Sequence, residues 1–158
     1  MNLPSPEFDL RAYLHGPRPY GNLPVQGNWA VERLLLDRST GTHGTFAGVV
    51  RFSPTHDGGL DFREEGTMRW PTFTGPASRE YVLKPAARPD ALDVFFADGR
   101  PFHRMSFSPE ASQDRHWCDP DTYRVAYNYE GADAFSYTWD VTGPRKDLLL
   151  TSALKRLV

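Results

Sequence analysis

From residue 27 onward, apolar and polar residues alternate with a period of two, which is the pattern of half-buried β-strands. The first run places Trp29, Val31, Arg33 and Leu35 on one face. The pattern recurs along the chain and predicts about nine strands, separated by turns such as Asp98-Gly99. The predicted strands lie within NWAVERLLLDR, GTFAGVVRFS, LDFREEGTMRW, REYVLK, ALDVFF, PFHRMSF, TYRVAYNYE, FSYTWDV and DLLLTSALKR.

No stretch with helical period is long enough to cross over between parallel strands, so the sheet is expected to be antiparallel. We therefore predict an all-β fold, in which residues 27–158 form a single up-and-down β-barrel. Residues 1–26 contain five prolines and a short helical candidate, Phe8 to Leu14, and are predicted to form an N-terminal arm. A barrel of this size holds either its own side chains or one small ligand.

Composition and charge exclude several classes of protein. The chain has 158 residues and a formal net charge of -2, so no electrostatic attraction to nucleic acid or to a membrane is expected. It has one cysteine, which excludes an intrachain disulfide. Neither a secretory signal nor a membrane-spanning apolar run is visible, and we expect a cytoplasmic protein.

The segment Gly27-Asn28-Trp29 resembles the Gly-x-Trp signature of lipocalins and other calycins. In that group an Arg or Lys near the end of the chain packs over the Trp, and Arg156 matches it here. Over residues 27–156 the chain is similar to domain-of-unknown-function family 6314 of bacteria and fungi, with HWCDPDTY and GPRKD as the most specific matches. The resemblance implies a calycin-like barrel and brings no established activity.

Arg33 shares a face with Trp29, so it is expected to point into the barrel, where a guanidinium needs a partner. The segment REEG offers Glu64 or Glu65, and alternation lets only one of them face inward. Arg33 is then either a clamp for a ligand carboxylate or phosphate, or part of a buried ion pair surrounded by Tyr hydroxyls.

His103 shares a face with Met105 and Phe107, opposite to Phe102. A histidine among apolar neighbours is most often a satisfied core residue. The alternatives are a ligand contact, a general base or an axial haem ligand. The haem alternative comes from the calycin-like nitrobindins, whose Gly-rich start is missing here. We expect no cofactor.

The segment HWCDPDTY concentrates reactive side chains. On an extended strand His116 and Cys118 point the same way, so an imidazole could activate a thiol. As zinc ligands they are short of a complete set, and we expect no metal site. The alternative is a structural corner, with Asp121 bonded to local backbone N–H groups or a nearby Arg, and with Tyr123 beginning a strand.

Three functions follow from these residues. The first is a binding protein for a small, partly apolar, anionic molecule held inside the barrel. The second is an enzyme of isomerase, cyclase or hydrolase type, with His103 or His116 as base and Cys118 or a Tyr as its partner. The third is a filled barrel that serves as a structural or interaction module. Candidate ligand contacts are Arg33, Glu65, Tyr81, His103, His116, Cys118, Tyr123 and Tyr127, and structural roles are predicted for Trp29, Arg156 and Asp121.

In GPRKD, Arg145 and Lys146 are either phosphate contacts or a solvated turn. Nothing in the sequence predicts the oligomeric state.

Overall fold

A computed structural model describes residues 8–16 and 27–157. It contains one helix, α1 (Leu10–His15), and one sheet of ten antiparallel strands. The strands are β1 (Asn28–Asp37), β2 (Thr42–Pro54), β3 (Leu60–Trp70), β4 (Phe73–Pro85), β5 (Ala91–Phe96), β6 (Pro101–Ser106), β7 (Gln113–Cys118), β8 (Asp121–Tyr129), β9 (Ala134–Thr142) and β10 (Asp147–Arg156). Among the described residues, no helix is long and apolar enough to cross a membrane.

The strands form a nearly closed up-and-down barrel in the order β6-β5-β4-β3-β2-β1-β10-β9-β8-β7. The first and last strands of the chain pair directly, from Trp29 opposite Arg156 to Asp37 opposite Leu148. β6 and β7, the two edges of the sheet, face each other without a backbone ladder. A side chain joins them instead, because the Asp114 carboxylate accepts the backbone N–H of Arg104 at 2.6 Å. We call this junction the seam.

The all-β antiparallel barrel predicted from the alternation is confirmed, with ten strands instead of about nine. The missing strand is β7, in the segment that the sequence presents as a polar corner. Asp119 and Pro120 make a tight connection between β7 and β8, and Cys118 pairs with Asp121 across it. β4 is also longer than its predicted core of REYVLK, because Gly75 and Pro76 lie within the strand.

α1 closes one end of the barrel. Leu10 and Leu14 are fully buried, and Tyr13 packs against Trp29, Phe107 and Phe135. Asp9 caps the N-terminus of the helix, because its carboxylate accepts the backbone N–H of Ala12 at 3.0 Å. The rest of the predicted N-terminal arm, residues 1–7 and 17–26, lies outside the described residues.

Trp29 sits at the same end and is fully buried. Its indole N–H donates to the backbone carbonyl of Leu14 at 2.8 Å, which ties α1 to the first strand. The guanidinium of Arg156 lies over the indole, 4.3 Å from the ring centroid, as the calycin resemblance implies. Arg156 also donates to the carbonyl of Ala132 at 2.8 Å, so it holds three parts of the chain together.

Candidate functional site

A buried ionic network crosses the middle of the barrel. Arg33 on β1 forms a two-pronged pair with Glu64 on β3, with its two terminal nitrogens at 2.9 and 2.7 Å from the carboxylate oxygens. Nε donates to the Ser152 hydroxyl at 2.7 Å, and Nη2 also donates to the Tyr137 hydroxyl at 2.9 Å. Arg33 and Glu64 are both buried, so each of the three guanidinium nitrogens has a partner away from water, and four of the five N–H donors are used.

A second arginine, Arg79 on β4, approaches the same carboxylate. Its Nε lies 2.9 Å from a Glu64 oxygen, close enough for charge attraction but without the alignment of a hydrogen bond. Its Nη2 donates to the Tyr137 hydroxyl at 3.1 Å, and the guanidinium lies 5.7 Å from the Tyr81 ring. The Arg79 side chain is 29% exposed, whereas that of Arg33 is 4% exposed, so Arg79 is the one that reaches toward solvent.

The charges of this network do not balance. Two guanidinium groups share Glu64, and among the described residues no other carboxylate pairs with either of them. Burial disfavours the Glu64 carboxylate, yet the hydrogen bond from Arg33 and the charge of Arg79 prevail and hold its pKa below the ordinary value. Burial lowers the pKa of both arginines, but the Tyr137 hydroxyl and the Glu64 carboxylate together outweigh it and raise both pKa values. One unbalanced positive charge therefore remains inside the barrel.

Beside this network lies an internal cavity with mostly aromatic walls. The space open to the centre of a water molecule is about 40 Å³, enough for a few waters. Arg79 and Tyr137 line one side and His103 and Tyr127 another. The other lining residues are Phe52, Phe62, Tyr81, Leu83, Val94, Phe102, Met105, Phe135, Trp139 and Leu154.

His103 and Tyr127 form the second polar contact of the cavity. The His103 Nε2 lies 2.7 Å from the Tyr127 hydroxyl, and the imidazole packs edge-on against Trp139 with the ring centres 4.9 Å apart. Burial lowers the pKa of His103 to about 4, with Asp114 acting weakly against it, so the ring is neutral at neutral pH. Burial also raises the pKa of Tyr127 well above 10.

The end of the barrel opposite α1 is open, and we call it the mouth. Its inward-facing side chains are only half-buried, unlike those around α1. Two pairs of stacked rings, Phe96 on Phe102 and Phe102 on Trp139, form one wall, with centroids 4.4 and 5.0 Å apart. The His116 ring meets Phe102 edge-on at 5.2 Å. The remaining half-buried apolar residues of the mouth are Leu35, Met68, Tyr81, Tyr123 and Leu150.

Residues 25–156 match the model of a family of unknown function, DUF6314. The chain belongs to the DUF6314 family. No curated protein matches it.

The DUF6314 barrel is similar to solved structures at low identity. An S-type phycobiliprotein lyase from Guillardia theta superposes with a TM-score of 0.61 at 8% identity, covering 83% of this chain and 87% of the lyase. A protein of unknown function from the DUF3598 family of Nostoc punctiforme gives 0.56 at 7% identity, covering 82% of this chain and 46% of that one. At such identities the likeness shows the barrel fold alone.

One predicted contact of the DUF6314 barrel is wrong. Glu65 points outward, where its exposed carboxylate pairs with Arg63 at 2.5 Å, and Glu64 is the residue that faces Arg33. The alternation allows one inward glutamate, and Phe62, which lies inside, shows which of the two it must be.

The expectation that Phe102 and His103 face opposite ways is also wrong. The pairing of β5 with β6 shifts register between Val94 and Phe95, as at a β-bulge. Both side chains consequently contact Trp139, and both line the cavity.

The segment HWCDPDTY is a hairpin at the mouth. Cys118 is exposed at its tip and does not line the cavity, so the geometry does not bring it to His103. Asp121 is buried, and its partner is Lys146 at 3.1 Å, not the backbone N–H or Arg that was expected. Lys146 also donates to the Tyr123 hydroxyl at 3.1 Å, so this exposed residue of GPRKD folds back onto the rim of the barrel. Among the residues that the structure describes, no cluster could hold a metal ion.

The sequence reasoning missed Arg79, the exposed member of the ionic network. The signal was present, because Tyr81 was assigned to the interior and Arg79 lies two residues before it on the same strand. Ser152 on β10 was missed as well, whereas Tyr137 and Trp139 on β9 belong to an aromatic run that the sequence assigns to the core or the cavity lining.

Proposed function

We propose that this protein binds a small, partly apolar anion inside the barrel, with Arg79 as its charged contact. The observation that carries the proposal is the unbalanced charge: Arg33 and Arg79 share the single carboxylate of Glu64. A charge held in a partly dry interior is costly without a counter-charge. An anionic ligand supplies the second negative charge, and it meets Arg79 because that side chain is the more exposed of the two, whereas each guanidinium nitrogen of Arg33 already has a partner.

The walls favour a flat, apolar body for this ligand. The stacked rings Phe96, Phe102 and Trp139 offer a continuous aromatic surface at the mouth. A ligand site of this kind typically combines such a surface with a few well-placed polar groups. The similarity to a phycobiliprotein lyase supports the shape of the barrel and leaves the ligand open.

The size of the cavity restricts where the ligand sits. The internal space of about 40 Å³ does not accept an aromatic ring without movement of its walls. The ligand body therefore occupies the mouth, among half-buried side chains, and only its polar groups reach the cavity. The same small volume supports the competing proposal of a filled barrel, which binds nothing.

A titration with matched probes separates these proposals. Calorimetry compares 4-isopropylbenzoate with 4-isopropylbenzamide, which has a similar shape and no charge. We expect the benzoate to bind about tenfold or more tightly, and Arg79→Gln to remove this preference. The fold is expected to persist in Arg79→Gln, because Arg33 and Glu64 remain a balanced pair.

The matched control is Arg69→Gln, which removes an exposed arginine from the neighbouring strand β3. It should leave the preference unchanged. Native mass spectrometry of freshly purified protein supplies an independent measurement, in which a retained acidic molecule is expected. If neither benzoate nor any retained molecule binds, the filled barrel is the better description.

A further inference from the structure

The direction of the hydrogen bond between His103 and Tyr127 depends on which imidazole nitrogen carries the proton. A phenol has one proton to donate, and among the described residues the only hydrogen-bond partner of the Tyr127 hydroxyl is the His103 Nε2, at 2.7 Å. Within these residues the hydroxyl proton therefore has an acceptor only if it is donated to that nitrogen. Nε2 is then the acceptor, and the proton of the neutral imidazole lies on Nδ1.

This tautomer leaves a buried donor. The His103 Nδ1 is shielded from solvent and has no hydrogen-bond partner in the described part of the chain. The carboxylate that acts on His103 through its charge is Asp114, on the seam. Its two oxygens already accept the backbone N–H groups of Arg104 and Arg115, at 2.6 and 2.8 Å. A donor without an acceptor is unfavourable in the interior. Because His103 lines the cavity, we expect a ligand there to supply the acceptor.

We propose that His103 is a second polar contact for the ligand, whose oxygen accepts the Nδ1–H while its anionic group meets Arg79. His103 lines the same cavity as Arg79, with Tyr137 and Tyr127 between them. The ligand class is therefore an apolar acid with a second oxygen acceptor, such as a keto acid or an ester acid. This inference rests on the anion-binding function proposed above and adds the second group.

Tyr127 acts here as a positioning residue. It does not need to touch the ligand, because its hydroxyl holds the imidazole in the tautomer that donates from Nδ1. The aromatic contacts of His103 with Trp139 and Phe102 hold the ring plane, both close to perpendicular at 87° and 89°. Phe102 and Trp139 thus determine the orientation of the imidazole, and Tyr127 determines which of its nitrogens carries the proton.

The binding test uses 4-acetylbenzoate and 4-isopropylbenzoate, which have nearly the same shape but differ in one oxygen acceptor. We expect the acetyl compound to bind about tenfold more tightly to the parent protein. His103→Phe should bind both compounds equally, and its apolar ring suits the aromatic surroundings. Tyr127→Phe should reduce the preference, since it leaves the imidazole free to change tautomer.

Two control variants keep the measurement specific. His56→Phe changes an exposed histidine in the turn after β2 that does not line the cavity, and the preference should be unchanged. Asp114→Asn removes the alternative acceptor and should leave the preference in place. A preference lost in Asp114→Asn, or equal affinities for the two compounds in the parent, overturns the proposal while leaving the role of Arg79 intact. Failure of both compounds to bind overturns the two proposals together.

A readout without any probe is the ring ¹⁵N spectrum of histidine-labelled protein. We expect His103 to be the Nδ1–H tautomer at pH 7, and to shift toward Nε2–H in Tyr127→Phe. A parent His103 in the Nε2–H form overturns the proposal, since Nδ1 would then accept and the ligand would have to donate.

Discussion

Arg33 and Arg79 are two arginines of different kinds that meet at one carboxylate. Arg33 has a partner for each of its guanidinium nitrogens, and its role is to hold β1, β3, β9 and β10 together through Glu64, Tyr137 and Ser152. Arg79 has an imperfect contact with Glu64 and a partly exposed side chain. A buried ion pair has little net stabilising effect over an apolar pair, but breaking one leaves a stranded charge.

Replacing Arg33 by Met should therefore destabilise the fold. We expect a loss of about 3 kcal/mol in the free energy of unfolding, below the largest values for such pairs because Arg79 still attracts Glu64. Chemical denaturation measures this. The control Arg63→Met removes an exposed ion pair with Glu65 and should cost less than about 1 kcal/mol. If Arg33→Met unfolded at the same denaturant concentration as the parent protein, a structural role for Arg33 would be contradicted.

His103 should make stability depend on pH. Its pKa is about 4 in the folded protein and near 6.5 when unfolded, so between these values the unfolded chain binds the extra proton. Stability is therefore complete above pH 6.5 and falls as the pH drops toward 4, by at most about 3 kcal/mol. Denaturation of the parent and His103→Phe across this range measures the difference. His56→Gln, in an exposed turn, should keep the parent's slope.

At the scale of elements, α1 closes and stabilises one end of the barrel. Leu14 is fully buried, and its carbonyl accepts the indole N–H of Trp29. Leu14→Ala should cost about 2–4 kcal/mol, because it leaves a cavity where the helix meets the strands. Trp29 fluorescence should shift as water reaches the indole. Ala12→Ser, on the exposed face of α1, serves as the control; an unchanged midpoint for Leu14→Ala would mean that the helix does not stabilise the barrel.

Alternation was sufficient to predict most elements, and it failed where local chemistry competed with it. Trp29, Arg33 and Arg156 were placed correctly from the period of two and from the resemblance. β7 was missed because Asp119-Pro120 is typical of a corner, and a hairpin turn has the same composition. Phe102 was misplaced because one register shift reverses the alternation, and a bulge has no reliable mark in a single sequence.

The partners of the site were harder to predict than its members. Arg33 needed a carboxylate, but the choice of Glu64 over Glu65 depends on which face of β3 is inside. The pairing of Lys146 with Asp121 joins the starts of β8 and β10, and it depends on the register with which both strands pair with β9 at Thr142.

At the scale of the whole molecule, the seam is the weakest part of the wall. Every other pair of neighbouring strands is joined by a ladder, whereas β6 and β7 meet through the Asp114 side chain. Amides bonded in the β5–β6 and β7–β8 ladders should exchange with deuterium at least about tenfold faster than those of β1–β10. Asp114→Ala should increase the difference. Asp61→Ala, on the outer surface of β3, should not. If the amides of the β5–β6 and β7–β8 ladders exchanged as slowly as those of the β1–β10 ladder, the seam would not be the weakest part of the wall.

The placement of the seam has a consequence for how the chain folds. Trp29 and Arg156 begin and end the barrel and are direct partners, so the chain must close its largest loop to complete the sheet. A circular permutant that joins the two ends of this sequence and opens it at the exposed Pro109–Glu110 bond would have the strand order β7 to β10, then β1 to β6. No ladder would be lost, and every ladder would then connect two strands that follow one another along the chain. Because contacts of short sequence separation form faster, this permutant should refold more rapidly than the parent in stopped-flow experiments.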